Sequence, residues 1–267
     1  MDLETFAAYH VPALEQNEAR HNLMLAFVPA ALASSEPNLR FWSLGSPGAC
    51  ATQTPGYPVV LGDLTKGECH VFAEKIQDID FPAVVGPDET AIWFTDHATK
   101  LGRTFERPIP QRIHEIKTKP KYPDCEGNAR PVEADDGGLY ADWITAFMQE
   151  AVPQDPLPER KVLKDMAGKA PRWFWTVHKQ PVSVAGISRQ TGNSACIAPV
   201  FTPPELRGRG YAGSVTAAIV EYALANGKTS VCLYTDLRNP YSNRCYQKIG
   251  FKPVCDSMHY QVAKSTP

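Results

Sequence analysis

Hydrophobic residues in the second half of the chain form short runs typical of strands, and between them recur at the spacing of a helix. Runs rich in aromatic and β-branched residues are typical of strands and occur at 129–134, 172–177, 182–188, 194–201, 230–235 and 251–262. Apolar residues at helical spacing occur at 135–148, 159–167, 215–223 and 239–250. Asn226-Gly227 and Gly250 are expected to end two of these helices, because glycine readily adopts the left-handed conformation found there. The second half therefore predicts an α/β (α+β) domain.

The first half shows a similar but weaker pattern. Helices are predicted at 14–27, 68–79 and 89–101, and strands at 40–44, 59–61 and 83–86. The order of elements suggests a degenerate duplication, although independent elements of an α/β protein would look alike. The polar, proline-rich stretch from Thr118 to Asn128 predicts a boundary between domains at 1–118 and 129–267. A second proline cluster, at 152–158, is interpreted as a loop between two helices.

Composition and charge narrow the class of protein. The chain has 267 residues with a formal net charge of -2, so a general nucleic-acid-binding surface is not implied. The early apolar run from Leu23 to Ala33 is broken by Pro29 and is shorter than a membrane span, and the acidic N-terminus does not fit a signal peptide. Seven cysteines without a Cys-x-x-Cys pair favour reduced thiols in a cytoplasmic protein, and no metal site is expected.

The stretch PELRGRGYAGSV, residues 204–215, carries the strongest chemical signal. Arg207 and Arg209 alternate with Gly208, Gly210 and Gly213 at the start of a predicted helix. Glycines there could simply permit a tight turn or close packing. Free backbone N–H groups, the positive end of the helix dipole and two guanidinium groups nevertheless meet at one place, which favours an anion site that binds phosphate.

Three kinds of phosphate ligand are conceivable. A P-loop is excluded, since no Gly-Lys-Ser/Thr follows at the required spacing. The stretch from Gly208 to Gly213 matches the dinucleotide motif G-x-G-x-x-G, with Asp236 placed as a ribose-binding acid. Pro203-Pro204 interrupts the strand-to-loop connection that this motif needs, and too few residues follow Asp236 for further βαβ units.

The third ligand is coenzyme A. Residues 207–212 also match Arg/Gln-x-x-Gly-x-Gly/Ala, and NPYSNRCYQKIGF follows at 239–251. With the strand at 196–202, these motifs resemble the GNAT superfamily of acyl-CoA-dependent N-acyltransferases from about residue 129 to 262. The resemblance implies a mixed, mostly antiparallel sheet flanked by helices. The first domain carries no such motif, so a GNAT-like first domain should not bind CoA.

The resemblance also implies roles for particular residues. Acetyl-CoA would be the acyl donor, and its pyrophosphate would bind the backbone N–H groups of Arg207, Gly208, Arg209, Gly210, Tyr211, Ala212 and Gly213. Its pantetheine arm would lie along the backbone of Val200, Phe201 and Thr202, with Asn239 and Asn243 as further contacts. Tyr246 would protonate the departing thiolate. The alternative, purely structural roles are a helix cap for Asn239 and a core position for Tyr246.

Helical spacing places Asn239, Asn243 and Tyr246 on one face of the last helix, with Tyr241, Cys245 and Ile249 as a second, apolar stripe. The strand at 196–202 has no glutamate to serve as general base, which leaves Glu205, His178, Asp236 or a water chain.

The acceptor is expected to be an amine of a small molecule or a peptide. In the GNAT-like fold its pocket walls would come from residues 139–158 and 254–259, whereas Trp143, Phe147, Trp173 and Trp175 are interpreted mainly as core. Three hypotheses follow: an N-acetyltransferase, a non-catalytic acyl-CoA-binding module with a partner-binding first domain, and a nicotinamide oxidoreductase. The oligomeric state is left open.

Overall fold

The computed structural model describes residues 1–153, 155–169 and 171–263. These residues form two compact units. The first contains Met1–Ile113, Tyr234–Pro240 and residues 253–263, and the second contains His114–Leu233 and Tyr241–Lys252. Because the C-terminal residues belong to the first unit, the compact units do not coincide with the two segments of the sequence prediction.

Helices and strands alternate along most of the described chain. The helices are α1 (Leu3–Leu14), α2 (Glu18–Leu32), α3 (Lys66–Lys75), α4 (Asp88–Lys100), α5 (Gly137–Ala151), α6 (Arg160–Met166), α7 (Tyr211–Ala225) and α8 (Pro240–Ile249). The strands are β1 (Arg40–Ser43), β2 (Cys50–Gln53), β3 (Val59–Leu61), β4 (Ala83–Pro87), β5 (Ile109–Ile116), β6 (Asn128–Pro131), β7 (Arg172–Val177), β8 (Gln180–Gln190), β9 (Ser194–Phe201), β10 (Ser230–Asp236) and β11 (Lys252–Gln261).

The strands of the second unit pair mainly antiparallel. The order β6-β7-β8-β9 is antiparallel throughout, and β10 then pairs with β9 in parallel. The β7–β8 hairpin turns through His178 and Lys179, both with positive φ, which is the geometry of a tight hairpin turn. Helices α5, α6 and α7 pack on this sheet. The predicted mixed, mostly antiparallel sheet flanked by helices is confirmed.

The first unit repeats this order of elements. Strands β1, β2 and β3 pair antiparallel, and β4 pairs with β3 in parallel. Helix α3 connects the parallel strands and α4 follows them, as α7 and α8 do for β9 and β10. Strand β11 completes the first unit by pairing antiparallel with β4.

Two hydrophobic cores lie against the sheet of the second unit. One is formed by α7 with the inner residues of β8, β9 and β10, and includes Trp175 and Tyr246. The other lies under α5 and α6, around Phe174 and Phe201, with Trp143 packed edge-on against Phe174. Trp175 is therefore buried in a core, whereas Trp143 and Trp173 are half-buried and pack against the two cores.

Most predicted elements are found within a few residues of their expected limits, with some corrections in the first unit. The helix predicted at 14–27 is wrong at its start, because α1 ends at Leu14 and α2 begins at Glu18. Phe27, the last residue of the predicted helix, is 38% exposed. Helix α1 and strands β2 and β5 were not expected.

Candidate active site

The connection between β9 and α7 is a tight loop containing two left-handed glycines. Pro204–Leu206 forms one turn of 3-10 helix, and Gly208 and Gly210 follow with φ of 79° and 87°. Other residues rarely adopt this conformation, which explains why both positions are glycine. Gly210 directly precedes the first residue of α7, so the loop runs without interruption into the helix.

The backbone donors of this loop point to an anion site. The first hydrogen bond that closes the helix runs from Ser214 N to Gly210 O, at 3.0 Å. The N–H groups of residues 208–213 donate to no acceptor within the described part of the chain. Because α7 has 15 residues, its dipole adds positive potential at the same place. The loop can therefore offer several donors to one phosphate group.

The two arginines of the loop have different surroundings. The Arg207 guanidinium donates to Thr202 O at 2.9 Å and to Glu150 Oε2 at 2.6 Å, and its backbone N–H donates to Pro204 O at 3.3 Å. Its side chain thus joins the loop to the end of β9 and to α5. Arg209 is exposed, and within the described chain its guanidinium makes only a long contact to Glu205 O, at 3.5 Å. Arg209 is the better placed of the two to meet an anion.

The parallel pairing of β9 with β10 ends before β9 itself ends. Registered pairing with β10 covers residues 194–196 of β9, whereas β9 continues to Phe201. On its other side, the register with β8 shifts between Ile197 and Val200, so the strand bulges at Ala198-Pro199. Proline suits this position because it has no N–H to donate to a sheet ladder. The edge of β9 beyond residue 196 is thus a candidate for strand addition by an extended ligand.

The residues predicted to hold the pantetheine arm lie at this end of β9. Val200 is half-buried, and Phe201 and Thr202 are buried. The Ser183 hydroxyl donates to Phe201 O at 3.0 Å and lies 2.8 Å from Thr202 Oγ1. Together with Arg207, Ser183 therefore fixes the backbone direction of the segment that leads into the loop.

The proline-rich segment at 118–128 packs against the start of α7. A Cβ atom added to Gly213 would lie 2.7 Å from Pro123 Cγ, and one added to Gly210 would lie 3.1 Å from Pro123 Cβ. Cys125 Sγ lies 3.1 Å from Ser214 Oγ. We call residues 118–128 the strap. Two glycines of the predicted anion motif thus also allow the strap to approach the helix, a contact that the sequence alone did not indicate.

Helix α8 carries the predicted proton donor. Tyr246 is 8% exposed, and burial raises the pKa of its phenol, so it stays protonated at neutral pH. Its ring packs edge-on against Phe251, and its hydroxyl makes no hydrogen bond to any described residue. Tyr246 is thus a buried core residue, and its hydroxyl proton is not donated to any described residue.

The other predicted residues of this helix differ in their surroundings. Asn243 is half-buried, and its Oδ1 lies 3.3 Å from Nε2 of the fully buried His114 on β5, a contact that sequence reasoning missed. Asn239 is exposed and lies in the first unit. The predicted apolar stripe is wrong at Tyr241, which is 85% exposed, because the buried face of α8 runs through Tyr246 and Ile249.

The residues considered as a general base are exposed or already paired with a cation. Glu205 is exposed, and His178 is exposed at the tip of the β7–β8 hairpin. Asp236, in the first unit, pairs with the guanidinium of Arg238 at 2.7 Å. The second acceptor wall, at residues 254–259, also lies in the first unit, where Asp256 forms a two-point pair with Arg112. Within the described ranges no group of three or more His, Cys, Asp or Glu side chains is placed to hold a metal ion.

Comparison with known proteins agrees with this geometry. Residues 139–251 match the model of the acetyltransferase (GNAT) family, and the resemblance of this region to the GNAT superfamily is confirmed. Family and fold together support an acyl-transfer function, and folds of this type generally bind acyl-CoA. No curated protein sequence matches the chain.

Solved structures share the fold over nearly the whole chain. A GCN5-related N-acetyltransferase from Kribbella flavida has a TM-score of 0.61 at 16% identity, covering 93% of this chain and 96% of its own. A Drosophila protein has a TM-score of 0.64 at 11% identity, covering 96% and 86%. A tandem GNAT protein from the clavulanic acid biosynthesis pathway has a TM-score of 0.52 at 14% identity, covering 91% and 88%. Among the helices of the described residues, none is long and apolar enough to cross a membrane.

Proposed function

We propose that the protein is an N-acetyltransferase that moves an acetyl group from acetyl-CoA to a primary amine of a small molecule or a peptide. The observation that carries the proposal is the run of backbone N–H groups at 208–213, left without acceptors in the described chain at the start of α7. A pyrophosphate supplies the oxygens that these donors lack. The dinucleotide alternative is less well supported, because Pro203 and a 3-10 turn separate the loop from β9 and Asp236 is held by Arg238.

The end of β9 suits the pantetheine and acyl end of acetyl-CoA. An extended pantetheine arm could add to the edge of β9 beyond residue 196, with Val200, Phe201 and Thr202 alongside it. Backbone N–H groups at that edge would polarise the thioester carbonyl, which gains negative charge when an amine attacks it. We therefore place the acyl end of acetyl-CoA at this strand and its phosphates at the loop.

Tyr246 is proposed to protonate the CoA thiolate as the thioester C–S bond breaks. A phenol kept neutral by burial still carries its proton when the thiolate forms, and its hydroxyl has no described partner that would compete. Asn243 and Asn239 are retained as proposed CoA contacts. For Arg207 the hydrogen bonds favour a positioning role, and the proposal assigns no side chain as general base.

The corresponding loop of the first unit explains why we expect one acyl-CoA per chain. Helix α3 begins with a capping box, in which the Thr65 hydroxyl accepts from Glu68 N at 3.3 Å and the Glu68 carboxylate accepts from Thr65 N at 2.8 Å. These two donors are therefore already satisfied, and the negative charge of Glu68 at the start of α3 disfavours a phosphate there. We propose that the first unit is a degenerate copy without an acyl-CoA site.

The test is release of CoA thiol with acetyl-CoA and a panel of amines, comparing the wild type with Tyr246→Phe. We expect kcat to fall by about 10²-fold or more, the usual contribution of a general acid, with acetyl-CoA affinity nearly unchanged. Tyr222→Phe is the matched control, since this half-exposed tyrosine lies on α7 with its ring against Trp173. Equal kcat in Tyr246→Phe would remove the acid role. Binding of acetyl-CoA without thiol release for any amine would favour the non-catalytic binding module.

A further inference from the structure

Cys196 and Cys232 face each other on neighbouring strands of the second unit. They are register partners in the parallel pairing of β9 with β10, and they form its last registered pair. Neighbouring strands lie about 4.7–4.9 Å apart, within the range of about 4.4–6.8 Å that separates the Cα atoms of disulfide-bonded cysteines. Both side chains are free thiols, 2% and 0% exposed. The backbone therefore permits a bond between them without a change of register.

A cation lies beside one of the two thiols. Arg189 pairs with Cys196 across β8 and β9, and its Nη2 is 3.2 Å from Cys196 Sγ. A hydrogen bond from the Cys232 thiol, together with the Arg189 charge, lowers the pKa of Cys196 in spite of its burial, whereas the pKa of Cys232 is raised. Cys50 provides a contrast within the same chain: it is equally buried, and burial raises its pKa to about 12. Of the two thiols, Cys196 thus has the greater thiolate character.

We propose that Cys196 and Cys232 form a peroxide-sensitive dithiol, in which Cys196 is the attacking and Cys232 the resolving residue. The Cys196 thiolate attacks one peroxide oxygen, the O–O bond breaks, and the leaving hydroxide takes up the proton that the thiol had lost. Cys232 then attacks the Cys196 sulfenic acid, the S–O bond breaks, and a second water leaves with the Cys232 proton. One peroxide is reduced to two waters, and two thiols are oxidised to one disulfide.

The pair lies beside the edge of β9 where the pantetheine arm is proposed to bind, so its oxidation would act as a switch on acetyl-CoA binding. Beyond Cys196 the registered pairing ends, and β9 continues towards Val200, Phe201 and Thr202. A covalent bond at this point restricts how far the two strands can separate. We therefore expect the oxidised chain to bind acetyl-CoA about fivefold or more weakly, within the usual range of coupling between sites. This consequence rests on the proposed function, whereas formation of the disulfide does not.

The experiment is treatment of the reduced, full-length protein with hydrogen peroxide, followed by mass spectrometry of the intact chain and of its peptides. We expect a mass lower by two hydrogens, one peptide pair linked through Cys196 and Cys232, and full reversal by dithiothreitol. Cys232→Ser should instead accumulate a Cys196 sulfenic acid that dimedone traps, and Cys196→Ser should give neither product. Measured at a pH below the Cys196 pKa, Arg189→Gln should slow the reaction by about tenfold, the change in thiolate fraction that a rise of one pKa unit causes there, and Arg189→Lys should retain more of the rate.

Reactivity of Cys50 is the internal control, because this thiol is as buried as Cys196 and burial raises its pKa. If Cys196 reacts no faster than Cys50, or if no peptide pair links it to Cys232, the dithiol does not exist as described. If the disulfide forms but the acetyl-CoA affinity stays the same, the switch is refuted. Reduced protein that binds no acetyl-CoA would instead count against the proposed function and leave the disulfide result standing.

Discussion

Gly213 offers a direct test of how the strap lies against α7. Replacing glycine by alanine at a helical position normally stabilises a protein by about 0.4–1 kcal/mol, because the unfolded chain loses freedom. At Gly213, the third residue of α7, the new methyl group would lie 2.7 Å from Pro123 Cγ. The proline ring is short and rigid, so the strap or the helix must move. Overpacking of this kind costs about 1–3 kcal/mol, which exceeds the gain.

We therefore expect Gly213→Ala to lower the free energy of unfolding by about 1 kcal/mol, or the melting temperature by about 2–4 °C. Gly138→Ala is the matched control. Gly138 is the second residue of α5, and a Cβ atom there would meet nothing within 4 Å, so this change should be stabilising. In a Pro123→Ala background the effect of Gly213→Ala should change sign, because the ring that it strikes is gone.

Thermal and urea unfolding of the four variants without ligand measure these effects. If Gly213→Ala stabilises the wild type as much as Gly138→Ala does, the strap does not contact α7 in the way described. If Gly213→Ala stays destabilising in the Pro123→Ala background, the contact with the proline ring is not the cause. Either result would refute the packing argument, and neither depends on the proposed function.

Three further predictions concern stability. Tyr140→Phe should lower the free energy of unfolding by about 1–3 kcal/mol. The hydroxyl accepts a hydrogen bond from the buried Arg172 at 2.6 Å, and its loss leaves a guanidinium N–H without that acceptor. Urea unfolding measures this loss, and an unchanged stability would refute the prediction. Thr65→Ala should cost about 1 kcal/mol through the lost helix cap, whereas Thr65→Ser should retain most of that stability. Partial burial acts to raise the pKa of Asp63, but the hydrogen bonds and charges of His21 and Arg20 outweigh it and hold the pKa at about 2. Because this folded-state pKa is below the unfolded value of about 3.9, the contribution is present above pH 4 and is lost as the pH falls towards 2. The carboxylate is half-exposed, so we expect it to contribute less than about 1 kcal/mol to the free energy of unfolding. This contribution should be missing from the dependence of stability on pH in Asp63→Asn.

Local pattern was sufficient for much of the second unit. Strands β7 and β9 have the limits predicted from their aromatic and β-branched runs, and α7 ends at Ala225 with the expected Asn226 as its C-cap. The pattern failed where proline or buried polar residues disguise an element. Helix α1 carries Pro12 in its interior, and β2 buries Thr52 and Gln53 as fully as its apolar residues.

The sequence predicts those parts of the candidate site that depend on neighbouring residues. Gly208 and Gly210 mark the loop because each needs a left-handed backbone, and that need is visible in the sequence. The contacts that support the site join distant positions. Cys125 and Ser214 are 89 residues apart, and His114 and Asn243 are 129 apart. Such pairs depend on tertiary packing, which residue spacing does not encode.

The proposal that the 208–213 loop holds acyl-CoA is tested most directly by thermal unfolding with acetyl-CoA, CoA and NAD, alongside calorimetric titration. A ligand at 100 times its Kd adds about 2.7 kcal/mol of stability, a shift of several degrees. We expect stabilisation by acetyl-CoA and CoA with one site per chain, none by NAD, and weaker binding in Arg209→Glu than in Lys161→Glu, an exposed charge reversal on α6. Stabilisation by NAD, no shift with acetyl-CoA, or equal affinity in the two variants would contradict the assignment of the loop.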